Sequence, residues 1–213
     1  MRPIVLLITM SCIANAAALE EAITVHLFNG ASVPGDVIAK GEQETSRIFR
    51  FARIAVRWIN CASIDAPRGR SQACAELADS HTFTIAVGYS FLQAKIKETA
   101  LGFATPYSGE GNHAGISYSW LAQVANDTEL IDRGSLLGAT MAHELAHLLL
   151  VHHGPGIMQA NWTRAEFFRI RQGLFFFTSE QSTALRAALR SRYPAPDAPQ
   201  GSAVKRSLVA RKH

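Results

Sequence analysis

Apolar and polar residues alternate through Ile23-Thr24-Val25-His26-Leu27-Phe28, and the β-branched content of this run predicts a first strand. Residues 34–51 then read as a helix, and Ile54-Ala55-Val56-Arg57-Trp58-Ile59 as a second strand. Further strands are expected at Phe83–Tyr89, Leu101–Thr105 and Gly115–Ser119. A second long helix is expected over Leu136–Val151, which is rich in Ala, Leu and Met and free of proline, with Ser135 as its N-cap. Gly154-Pro155-Gly156 ends helices and builds tight turns. Leu185 and Leu189, four apart with alanines between, predict a closing amphipathic helix over Ser179–Arg192. Strand, helix, strands, helix, turn and further helices give an α+β domain, with a mixed twisted sheet of four to five strands packed on the helix at Leu136.

The ends of the chain read differently. Met1-Arg2 precedes an apolar run from Ile4 to Ile13, and Ala14-Asn15-Ala16-Ala17-Ala18 supplies the small residues a signal peptidase needs. Residues 1–18 are therefore expected to be a cleaved signal peptide, which makes the mature protein secreted or periplasmic. The run is too short to span a bilayer, and no other stretch approaches the roughly 20 apolar residues required, so no integral membrane anchor is expected. Thr9-Met10-Ser11 before Cys12 is a poor match to a lipid-attachment signal. Residues 19–193, about 175 in all, suffice for one domain with a real core, and they contain no repeat or linker.

Net charge is +4, but one of these charges is Arg2 and three more are the balance of Lys205, Arg206, Arg211 and Lys212 against Asp197. The body of the chain is thus electrically neutral, and the Pro, Ala and Ser-rich segment 194–213 reads as a disordered basic tail. Nucleic acid is not an expected partner; a monomer is. Cys61 and Cys74 remain once the leader is gone, and in an exported chain they are expected to form a disulfide.

Chemistry concentrates in His143-Glu144-Leu145-Ala146-His147, an H-E-x-x-H run inside the predicted second helix. Positions four apart share a helix face, so His143 and His147 can offer two imidazole nitrogens to one ion. Glu144 follows the first of them and projects to the side, where its carboxylate can take a proton from water activated by the metal. The ion expected in such a site is Zn2+. A third ligand is expected just beyond the helix, where the chain turns back.

Here the chain resembles the metzincin branch of the zincin metallopeptidases, whose signature is H-E-x-x-H-x-x-G-x-x-H followed by a turn containing methionine. His153 falls on the third-histidine position. The family's glycine is replaced by Leu150, which implies a longer helix that turns at Gly154 and keeps His152 open as the third ligand. Gly156-Ile157-Met158 looks like the methionine turn, arriving early, with Met158 as a packing residue and not a ligand. Another zincin branch takes a glutamate from a later helix; Glu166 lies at that distance, but beside Thr163 it also reads as a first-turn residue of a capped helix.

What the resemblance implies is a zincin-like catalytic domain over 19–193 and a zinc metalloendopeptidase acting on peptide or protein substrates. Zinc on His143, His147 and His153 would activate water, with Glu144 passing the proton to the leaving amine. The alternatives are an inactive zinc-stabilised binding module and a closed structural site using both His152 and His153. In such folds the last strand before the active helix, here Ala114–Tyr118, borders the cleft and pairs with substrate.

Other candidates carry less. His113, after the polar stretch Ser108–Asn112, reads as a surface residue, and His26 and His81 receive no role. Asp127, Glu129 and Asp132 match no calcium-loop spacing and read as a solvated connection. Trp162, Phe167, Phe168 and Phe175–Phe177 are expected in the core beneath the active helix. The sequons at Asn126 and Asn161 matter only in a glycosylating host.

Overall fold

The computed structural model describes residues 21–61, 74, 81–89, 100–105, 113–149 and 152–192. The expected leader, the basic tail and the polar stretch at 108–112 lie outside the described residues. The strands are β1 (Glu21–Asn29), β2 (Ile54–Cys61), β3 (Thr82–Gly88), β4 (Gly102–Thr105) and β5 (His113–Ser117), and they form one sheet in the order β2-β1-β3-β5-β4. β1 runs parallel to β2 and β3, and β3 parallel to β5; β4 is antiparallel to β5. Among the described residues the α-helices are α1 (Gly35–Phe51), α2 (Tyr118–Thr128), α3 (Arg133–His147), α4 (Arg164–Arg171) and α5 (Ser179–Arg192). The fold is the expected single α+β domain with a mixed sheet.

The alternation in β1 sends Ile23, Val25 and Leu27 to the face that packs on the helices, where all three are buried with Ile48 and Phe49 of α1 and Leu136 and Leu137 of α3. Burying each such side chain contributes roughly 1.5–3 kcal/mol. α1 and α3 approach backbone to backbone. A methyl group on Gly138 would lie 2.6 Å from the Gly41 carbonyl oxygen and from Glu44 Cβ, and the Thr45 hydroxyl reaches the carbonyls of Gly41 and Gly138 at 2.9 Å each. That contact holds the H-E-x-x-H helix against the sheet's helical layer.

Several boundaries differ from the sequence reading. α3 begins a turn earlier than expected, because Asp132 and not Ser135 is its N-cap. Asp132 Oδ1 accepts from the Ser135 amide at 2.9 Å and Oδ2 from the Ser135 hydroxyl at 2.8 Å. Lys40 adds an ion pair to Asp132 at 2.8 Å. Asp127 lies in the last turn of α2, whereas Glu129, in the left-handed region at φ 51°, and Asp132 lie in the short connection between α2 and α3; all three are exposed. α2 replaces the end of the expected Gly115–Ser119 strand: Leu121 and Ala125, four apart, bury one helical face.

α3 also stops sooner, at His147. Its ladder tightens to a bond from the Leu149 amide to the Ala146 carbonyl at 3.0 Å, and Arg192 of α5 donates to the Leu148 carbonyl at 2.8 Å. The helix thus ends before the glycine at 154 is reached, and a distant side chain satisfies a carbonyl at its end. Within the aromatic group, Phe167, Phe175 and Phe177 are buried as expected, whereas Phe176 is half-buried and stacks on Phe51 at 3.8 Å. Phe168 is 43% exposed on the outer face of α4, beside the Arg171 guanidinium, and is not core.

Cys61 and Cys74 are disulfide-bonded, with Cα atoms 5.9 Å apart. No helix among the described residues is long and apolar enough to cross a membrane.

Candidate metal centre

α3 places His143 and His147 one turn apart on one face, and the chain returns from the helix to set His153 against them. His147 Nε2 lies 3.0 Å from His143 Nε2 and 3.1 Å from His153 Nε2. The three rings offer one nitrogen each within 4.8 Å of one another, from a buried, a half-buried and an exposed residue respectively. The open side of the cluster therefore faces solvent. His152 is exposed and stands outside the cluster.

The buried ring is held in one tautomer. His143 Nδ1 donates to the Ile157 carbonyl at 2.7 Å, so Nε2 presents its lone pair to the other two imidazoles. Trp162 packs edge-on to the same ring at 5.6 Å and rests in turn on Phe175. Burial pushes His143 down to about 4, and the neighbouring imidazoles act in the same direction, against the pull of the Ile157 carbonyl. A neutral histidine with a fixed Nδ1–H is the form that binds a metal. Tetrahedral zinc at about 2.0–2.1 Å holds its nitrogens about 3.3 Å apart, close to the two spacings from His147, and all three nitrogens lie within 4.8 Å, so the residues fit the ion.

Glu144 lines the same cleft at 5% exposure, and burial raises its carboxyl to about 8. Its room comes from Gly102 on β4: a methyl group there would lie 2.8 Å from Glu144 Cγ and 2.9 Å from Oε1. The return segment has its own anchors. Gly156, at φ +66°, starts the short 3-10 turn Gly156–Met158, and a side chain there would meet the Phe176 carbonyl at 2.7 Å. The Ile157 amide donates to that carbonyl at 3.2 Å, and Met158 is fully buried.

The other sequence candidates are placed elsewhere. Glu166 Oε2 accepts from the Thr163 amide at 2.9 Å and the Thr163 hydroxyl at 2.6 Å in a capping box, and these bonds hold it below the ordinary glutamate range. His113 is exposed at the start of β5, and His26 is buried in β1. His81 Nε2 donates to the Leu189 carbonyl at 3.0 Å.

The cleft around the histidines has a volume of about 820 Å³. Leu101 and the β4 residues Gly102–Ala104 form one wall, and Trp120, Val124, Trp162 and Phe167 supply apolar surface. β5, expected to border the cleft with a free edge, is paired on both sides, by β3 and β4; the edge that lines the cleft is β4. Sequence reasoning missed Gly102, Trp120 and Val124 as site residues. The four-residue repeat of Trp120 and Val124 is the signal that would have placed them on one helix face; Gly102 carried none.

Three convergent imidazoles in a cleft that a buried carboxylate also lines make this a candidate metal centre. No family model matches the sequence, and no curated protein matches it. Among solved structures the chain is similar to archaemetzincin from Methanopyrus kandleri, at 16% identity over 80% of this chain and 96% of that one, with a TM-score of 0.48. It is also similar to metalloproteinase-II from Bacteroides fragilis, at 11% identity over 82% of this chain and 55% of that one, with a TM-score of 0.49. Identities this low say nothing about activity, so the chemistry has to come from the residues of the cleft.

Proposed function

We propose that the protein is a secreted zinc-dependent peptidase with His143, His147 and His153 as metal ligands and Glu144 as general base. The observation that carries this reading is the convergence of three imidazole nitrogens beside a buried carboxylate in an open cleft. Zinc bound there supplies the Lewis acidity that makes water a nucleophile near neutral pH and polarises a carbonyl.

The chain's own groups do the rest. Ile157 keeps His143 in the tautomer that leaves Nε2 free. Glu144, ionised once a cation stands beside it, takes a proton from the attacking water and hands it to the leaving amine. An extended peptide is taken to add to β4, the edge strand of the cleft wall, by main-chain hydrogen bonds. Met158, fully buried in the return segment, would be the packing methionine of the turn.

Export belongs to the same reading: residues 1–18 are a cleaved signal, 19–193 the catalytic domain and 194–213 a basic tail. The Cys61–Cys74 disulfide agrees with an oxidising compartment.

The test is zinc content together with cleavage of a mixed peptide library, wild type against Glu144→Ala. Stoichiometric zinc in both with cleavage by wild type alone is expected. Zinc in both without cleavage in either would make the protein a metal-stabilised binding module, and no zinc in wild type would remove the assignment.

A further inference from the structure

His153 is the exposed member of the cluster, so burial does not hold its ring where His147 meets it; the backbone that carries it must be fixed instead. Four hydrogen bonds do this. Gly154 N–H donates to the Met158 carbonyl at 2.9 Å, Ile157 N–H to the Phe176 carbonyl at 3.2 Å, and His143 Nδ1 to the Ile157 carbonyl at 2.7 Å. The fourth comes from α5: Gln181 Nε2 donates to the Pro155 carbonyl at 2.8 Å, two residues after His153. Two of the four hold the chain right after His153: the Gly154 amide, bonded within the turn itself, and the Gln181 side chain, which reaches in from a separate helix.

The two ends of the Gln181 amide do different things. Its Oε1 accepts from the Thr178 amide at 2.9 Å while the Gln181 amide donates to the Thr178 hydroxyl at 3.2 Å, a reciprocal cap at the start of α5. Its NH2 group faces the turn so closely that a methyl group on Gly154 would stand 3.1 Å from Nε2. Glutamate satisfies the first role equally well, since a carboxylate accepts from the Thr178 amide. It fails the second, because it has no hydrogen to give the Pro155 carbonyl. The helix cap alone therefore does not call for glutamine.

We infer that Gln181 is a positioning residue for the metal centre, clamping the Pro155 carbonyl so that His153 meets His143 and His147; this rests on the zinc reading above. Arg192, at the other end of α5, acts on the same assembly by taking the Leu148 carbonyl where α3 stops. Helix α5 thus holds both the end of the two-histidine helix and the segment that brings the third ligand.

The experiment is zinc affinity by chelator competition, with the thermal midpoint of the metal-free protein, for wild type, Gln181→Glu and Gln181→Met. Groups that orient a ligand from outside the coordination sphere typically change metal affinity by roughly 10- to 100-fold. Gln181→Glu is expected to weaken zinc by about that factor with the metal-free midpoint unchanged. A negative charge near the site would by itself tighten a cation, so weakening marks lost positioning. Gln181→Met adds no charge and loses the cap as well, so it should weaken zinc similarly and lower the metal-free midpoint. Unchanged affinity in both variants would overturn the clamp while leaving the zinc reading intact, as would weakening no larger than lost folding explains. A wild-type protein that binds no zinc would overturn both.

Discussion

Gly102 and Glu144 stand so close that a single methyl group on the glycine would sit 2.8 Å from the glutamate's Cγ and 2.9 Å from its Oε1. Real side chains do not tolerate that approach, so Gly102→Ala must move either Glu144 or β4, whose partner Gly115 offers its carbonyl oxygen at 2.9 Å from the same point. An error near 1 Å in a reacting group costs about 100-fold in rate. Gly102→Ala is expected to lose activity of that order with zinc content unchanged. Full activity in the variant would show that Glu144 has room the structure does not provide.

Stability of the metal-free protein should depend on pH through Glu144 and His143. Glu144 titrates at about 8 when folded against 4.5 ordinarily, so between these values the folded chain holds a proton that the unfolded chain has released. Its contribution therefore falls as pH rises through that window. His143, at about 4 against 6.5, does the opposite, and its contribution rises between those values. The two offset each other from 4.5 to 6.5 and leave a net fall from 6.5 to 8. Urea unfolding in chelator at pH 6.5 and pH 8 checks this, and a rise over that interval would contradict it. Zinc affinity should strengthen over the same interval, because the ion favours an ionised Glu144.

Removing the cap of α3 should cost little more than a cap. Asp132→Ala loses the bond from the Ser135 amide, worth about 1 kcal/mol. Its ion pair with Lys40 is half exposed on both sides and adds little. Asp132→Asn, which keeps the cap, should be nearly neutral. Equal losses in the two variants, read by denaturant midpoint, would shift the weight to the ion pair.

Reduction of the Cys61–Cys74 bond opens a loop with a sequence separation of 13. On the chain-entropy account that costs roughly 3 kcal/mol. Cys61→Ser with Cys74→Ser is expected to unfold at correspondingly lower denaturant while binding zinc stoichiometrically, since neither cysteine belongs to the histidine cluster. Loss of zinc in the folded double variant would tie the bridge to the site.

The sequence was legible wherever a residue's role depends on its neighbours along the chain. Ile23, Val25 and Leu27 alternate because one face of a strand is buried, and His143 and His147 recur at four because a helix brings them together. Glu166 was open to two readings, and Thr163 three residues before it pointed to the capping box that is found. Roles set by distant partners stayed hidden. Leu150 in place of glycine suggested a longer α3, yet the helix ends at His147, and the Leu148 carbonyl beyond it is bonded by Arg192, 44 residues away in sequence. The interior position of β5 depends on β4 folding back against it, and β4 is only four residues long. Gly102 carries no local sign of its contact with Glu144.

Every residue of α3 from Gly134 to Ala146 is buried, so the helix that presents the histidines and the glutamate is also the middle of the hydrophobic core. Folding and chemistry then share one inheritance. A change that loosens Leu137 or Met141 reaches His143 and Glu144 within a turn or two, and the protein has no way to drift in its interior while keeping its centre still. Freedom to diversify is left to the walls of the cleft, where Trp120 and Val124 are only partly buried.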